Sequence, residues 1–115
     1  MGPSIMAQVT IIITDLPENA PEGNIYISGD FEGWSGGNEK YRLNKVNQHY
    51  MITLPEQEDA IQFKFTRGSW STVEIKADGS QTDNRDYSFI KKHDTLKVSI
   101  ENWADQLKKV STATN

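Results

Sequence analysis

The chain of 115 residues contains no cysteine, which excludes a disulfide framework and any thiolate-held metal. It has no apolar run approaching the roughly 20 residues that a bilayer-spanning helix needs. Histidine is scarce: His49 and His93 are the only two, in or beside predicted strands and without a clear partner. Positive charge is in deficit, with 12 Lys and Arg against 16 Asp and Glu and a net charge of −4. Chains that neutralise phosphates normally carry the opposite balance, so nucleic acid and anionic membrane surfaces are not expected partners. A neutral polymer is compatible with this charge. The length suits one domain with a real core, because single cores commonly occupy about 100–150 residues.

What is present is strands and turns almost throughout. Residues 8–14 alternate, with Val9, Ile11 and Ile13 on one face, the period of a half-buried strand. A loop at 15–23 holds Pro17 and Pro21, which no central strand tolerates. Further strands are predicted at 24–28, 41–43, 49–54, 60–66, 72–76, 86–89 and 95–100, with turns at Asn47-Gln48 and Asp78-Gly79. In the clearest of them Ile61, Phe63 and Phe65 face one way, and Gln62, Lys64 and Thr66 the other. Seven or eight short strands with frequent turn signals predict an all-β, immunoglobulin-like antiparallel sandwich spanning residues 8–101.

Residues 1–7 lack the basic region and long apolar stretch of a signal peptide, and read as an expression leader ahead of an excised domain. With a native export signal removed, the expected origin is a secreted or cell-envelope bacterial protein; the sequence itself does not fix the compartment. Residues 102–115 read as a tail or linker. Asn102 caps a short helix there, with Trp103, Leu107 and Val110 as its apolar stripe, or the segment frays; 111–115 read as disordered.

Two tryptophans lie beside turn glycines, in Gly29-Asp30-Phe31-Glu32-Gly33-Trp34 and in Lys64-Phe65-Thr66-Arg67-Gly68-Ser69-Trp70. Turn positions lie on the surface. An indole there either plugs one end of the sandwich or offers a flat apolar face to a partner. Sugar rings present flat C–H faces to such a platform, and their hydroxyls need polar neighbours. Lys64, Asn84 and Arg85 fall within reach on this reading. The ammonium of Lys64 offers three donors, and an asparagine amide both donates and accepts.

The block from Ile25 through Trp34 resembles starch- and glycogen-binding modules, most closely family 48, which includes the glycogen-binding domain of AMP-activated kinase β subunits. Leu54-Pro55, then Ile61-Gln62-Phe63-Lys64-Phe65, then Gly68-Ser69-Trp70 is similar to a second block of that pattern. Asn84-Arg85 resembles the asparagine-arginine pair closing the related family 20 site. The segment from Thr66 to Glu74, with its longer spacing to Asn84, looks like modules appended to bacterial esterases and other glycan-processing enzymes. The resemblance covers about residues 9–100. It implies that Trp34 and Trp70 stack on glucose rings of an α-glucan, while Lys64 and Asn84 contact hydroxyls. It implies no catalysis, and a catalytic domain of the same parent chain as a further partner.

Other features read more plainly. Arg67, Glu74 and Arg85 form either a ligand-orienting set or, as charges at strand ends more often do, a structural ion pair. Tyr26, Tyr41, Tyr50 and Tyr87 read as core or strand-pair residues. Gly33-Trp34-Ser35-Gly36-Gly37 matches the G-x-S-x-G nucleophile pattern formally, but a glycine-rich loop follows where that motif needs a helix. Asp78, Asp83, Asn84 and Asp86 do not have EF-hand spacing and read as solvated turn residues. No cofactor is called for. The competing expectation is an interaction domain that buries both indoles against a neighbouring enzyme domain.

Overall fold

A computed structural model of the chain describes residues 7–18 and 20–107. The described residues form an all-β fold with nine strands in three sheets. The first sheet runs in the order β3 (Asn44–Val46), β4 (His49–Pro55), β1 (Gln8–Asp15), β8 (His93–Ser99). The second runs β2 (Tyr26–Gly29), β5 (Ile61–Thr66), β7 (Arg85–Tyr87). A two-stranded ribbon, β6 (Glu74–Ile75) with β9 (Asn102–Trp103), is attached to β5 through a bridge between Thr66 and Val73.

The core lies between the two larger sheets and follows from period-2 alternation. Val9, Ile11 and Ile13 of β1 are buried beside Leu54 of β4 and Val98 of β8. Ile27 of β2 and Ile61, Phe63 and Phe65 of β5 face them from the second sheet. The rings of Phe63 and Phe65 meet edge to face, 5.7 Å apart, a favoured geometry for aromatic pairs.

One pairing departs from the antiparallel expectation. β1 runs antiparallel to β4 but parallel to β8, with Ile11 opposite Leu96 and Ile13 opposite Val98. Alternation sets which face a strand buries and says nothing about its direction, so the sequence left this undetermined. The described residues form nine strands where seven or eight were expected, four of them only two or three residues long.

Several short elements also differ from expectation. Residues 39–41 form a 3₁₀ turn with Asn38 as its cap, and β3 begins only at Asn44. Trp70–Thr72 is another 3₁₀ turn, which shortens the strand predicted at 72–76 to Glu74–Ile75. The hairpin turn falls on Asn47 and Gln48, both left-handed with φ of 50° and 70°, as a two-residue turn between twisted strands requires.

The predicted tail helix is replaced by strand. Asn102–Trp103 pairs with Glu74–Ile75, the Ala104 N–H donates to the Val73 carbonyl at 2.8 Å, and a 3₁₀ turn follows at Ala104–Gln106. Trp103 is only 1% exposed and belongs to the main core. Strand pairing satisfies the backbone of β6 and drops the whole indole inward. A helical stripe would have spread its apolar groups along the surface. Arg67 stacks over the Trp103 ring at 5.4 Å and pairs with Asp105. Val110 and residues 111–115 lie outside the described residues, as do residues 1–6.

Candidate functional site

The site is built on the outward face of the β2–β5–β7 sheet. Ser28 pairs with Lys64 and Tyr26 with Thr66. These residues alternate with Ile27, Phe63 and Phe65, which enter the core, so they point the other way.

At Gly29 the chain leaves β2 and makes a 3₁₀ turn over Asp30–Glu32, closed by left-handed Gly33. Trp34 is left-handed too, with φ 55°, and its N–H donates to the Gly29 carbonyl at 2.9 Å. The loop then folds down onto the sheet. The Gly36 N–H donates to Ser28 Oγ at 2.9 Å, and Thr66 Oγ1 donates to the Gly36 carbonyl at 2.5 Å. This is why Ser28 and Thr66 are buried and polar: each satisfies a loop backbone group.

The second turn follows β5. Thr72 ties it by accepting from the Arg67 N–H at 3.1 Å and donating to the Ser69 carbonyl at 2.9 Å. It presents Trp70 against the first loop. Trp70 Nε1 donates to the Trp34 carbonyl at 3.0 Å, and a Cβ on Gly37 would lie 2.3 Å from the Gly68 carbonyl oxygen. No side chain fits between the two loops there. The indole centroids of Trp34 and Trp70 stand 6.1 Å apart with planes inclined by 40°. Trp70 is 39% exposed and Trp34 half-buried.

The polar candidates divide. Lys64 is half-buried opposite Ser28. Extending the Phe63–Arg85 register by one residue sets Asn84 opposite Lys64. Asn84 is exposed, and its amide donates to Gln62 Oε1 at 3.4 Å. Lys64, Gln62 and Asn84 thus lie on the outward face of the sheet, the face onto which the Trp34 loop folds; the alternation of β5 signals Gln62, and the family pattern does not single it out.

Arg85 takes a different place. It lies opposite Phe63 on the core side of the sheet, and its guanidinium holds Glu74 through bonds of 2.9 and 2.8 Å. It also donates to the Ser99 carbonyl at 2.7 Å and stacks on Phe65 at 5.5 Å. Glu74 is 1% exposed and accepts the Phe65 N–H as well. Glu74 and Arg85 thus have the geometry of a structural ion pair, while Arg67, the third member of the set, pairs with Asp105 instead.

Ser35 does not form a nucleophile elbow. Its hydroxyl donates to Glu32 at 2.5 Å, and a 3₁₀ turn rather than a helix follows the loop. A concavity of about 540 Å³ is lined by Pro17, Glu101, Trp103 and Leu107 among others and by none of the five candidates.

No protein-family model matches the chain. It is 34% identical over 92 residues to an alpha-amylase of Niallia circulans, covering 78% of this chain and 7% of that protein. It is 28% identical over 106 residues to an amylopullulanase of Thermoanaerobacter thermohydrosulfuricus, covering 88% of this chain and 7% of that protein. The match is to a small part of much longer proteins. The chain spans about 7% of the length of the curated relatives it matches.

Proposed function

We propose that this domain is a non-catalytic carbohydrate-binding module for α-glucan chains of the starch and glycogen type. The observation that carries the reading is the pair of indoles, 6.1 Å apart and inclined by 40°, on the same outward face as Lys64 and Asn84. Two inclined rings suit a chain that curves, whereas a straight, ribbon-like glucan favours coplanar ones. Each stack contributes about 0.5–1.5 kcal/mol beyond area burial. Lys64, Asn84 and Gln62 supply donors and acceptors for hydroxyls. The sum corresponds to weak single-site affinity, on the order of micromolar to millimolar.

The relatives support the same direction. An alpha-amylase and an amylopullulanase are named for α-glucan substrates, and this chain corresponds to only 7% of each. A small β-sandwich within such a protein raises the local concentration of the catalytic part at its polymer.

Affinity electrophoresis through gels containing starch, glycogen or a β-linked glucan tests the proposal. Wild-type protein is expected to be retarded by the α-glucans, and its tryptophan fluorescence to shift with maltoheptaose. Trp70→Ala is expected to abolish the retardation while lowering unfolding free energy by no more than about 1–2 kcal/mol, because the residue is 39% exposed and gives up one bond to the Trp34 carbonyl. Unretarded, folded wild-type protein across the panel overturns the reading in favour of an interaction domain.

A further inference from the structure

Glu32 lies under the Trp34 turn, and every group bonded to its carboxylate is a donor. Oε2 accepts from Ser28 Oγ at 2.6 Å, from the Gly29 N–H at 3.1 Å and from the Ser35 N–H at 2.9 Å. Oε1 accepts from Ser35 Oγ at 2.5 Å. The bonded residues bracket Trp34 on both sides. They also reach Trp70: Ser28 Oγ takes the Gly36 N–H, and Gly36 is packed against the Trp70 indole.

We propose, on the reading that this face binds a glucan, that Glu32 is the positioning residue of the platform, its carboxylate fixing both indoles at the angle that receives the sugar chain. The left-handed backbone of Trp34 costs about 1–2 kcal/mol relative to an ordinary conformation, and persists because the surroundings over-determine it. The Glu32 bonds are the side-chain part of that restraint. Two of the four donors are backbone N–H groups, which cannot reverse. A neutral carboxyl or an amide brings a donor of its own among them, and only the serine hydroxyls can turn to accept it.

The charged groups around Glu32 are engaged elsewhere or stand across the sheet. Asp30, in the same turn, accepts the Gln62 N–H at 3.2 Å. Glu39, packed against β2, accepts from the Tyr26 hydroxyl at 2.5 Å. Lys64 faces Ser28 from β5. Burial opposes ionisation of Glu32, but the bonds from Ser28, Ser35 and Gly29 outweigh it and hold the carboxyl below its ordinary value.

The test compares wild type, Glu32→Gln and Glu32→Ala by calorimetric titration with maltoheptaose from pH 7 to pH 3.5, over the range where far-ultraviolet circular dichroism shows a folded domain. Near-ultraviolet circular dichroism follows the coupled Trp34–Trp70 signal. At pH 7 Glu32→Ala is expected to bind at least about tenfold more weakly and to lose that signal, while Glu32→Gln binds about three- to tenfold more weakly, the loss of one or two charge-assisted bonds. Any fall in wild-type affinity towards the Glu32→Gln value is expected only below the ordinary carboxyl value of 4.5, as the carboxyl protonates, while Glu32→Gln stays flat with pH. Asp30→Asn retains the wild-type pH profile. The proposal is overturned by Glu32→Ala binding as wild type does, or by Glu32→Gln losing affinity in acid as wild type does. Should wild type bind no glucan at pH 7, the glucan reading fails, and the near-ultraviolet signal still decides: its loss in Glu32→Ala supports positioning, its persistence overturns it.

Discussion

Gly36 meets two constraints at one position. Its φ is 86°, and a Cβ there would lie 2.8 Å from Trp70 Nε1. Gly36→Ala is therefore expected to lower stability by about 1–2 kcal/mol through the left-handed backbone, and to displace Trp70 enough to weaken glucan binding; thermal unfolding and titration check the two effects separately. Arg85 makes the contrasting case. Arg85→Gln leaves Glu74 charged and buried, so it is expected to cost about 3–5 kcal/mol of stability, with the glucan affinity of the remaining folded protein unchanged. A loss of affinity without loss of stability would place Arg85 back among the ligand contacts. The different placing of Asn84 and Arg85 was legible in principle, since successive residues of an extended chain point to opposite faces. The exposure of Trp70 was legible, because an indole beside a turn glycine starts at the surface. Glu32 was not. An acid in a turn looks solvated from sequence, and its four donors come together only when the loop has folded onto β2.

The elements that alternation identified are the long ones. β1, β4, β5 and β8 each run six to eight residues, enough for period 2 to show. β6 and β9 have two residues each, and two residues have no period. Their pairing depends on Trp103 finding the core, a tertiary effect that overrides the local helical pattern. Trp103→Ala is accordingly expected to cost about 3–5 kcal/mol in chemical denaturation, far more than Trp70→Ala. The Asn47–Gln48 hairpin offers a change in the other direction. Gln48 holds a φ of 70° that glycine adopts freely, so Gln48→Gly is expected to raise stability by about 0.5–1 kcal/mol and leave binding unaltered. That turn joins β3 to β4 in the other sheet from the platform.

For the whole molecule, several groups make stability depend on pH in a defined sense. Hydrogen bonds from Tyr87 to Asp94 and from Arg67 to Asp105 lower both carboxyls, and Glu32 is lowered as described. Folded values below the unfolded ones give stability that is present above the ordinary values of 3.8 and 4.5 and lost as pH falls through the folded ones. Burial, together with the bond to Asp94, pushes the Tyr87 hydroxyl up to about 12 from 10.0. Its contribution has the opposite sense, complete below 10 and lost as pH rises towards 12. Melting temperatures measured against pH are expected to hold level between these limits and to fall on both sides. The parallel pairing of β1 with β8 has a mechanical consequence. The strands start at the same end, Gln8 beside His93, and finish together, Asp15 beside Ser99. Tension that enters at the start of β1 and leaves from the end of β8 slides one strand along the other, so their rungs resist together instead of parting one by one as a zipper does. The β1–β8 pair is thus a shear clamp against tension along the chain.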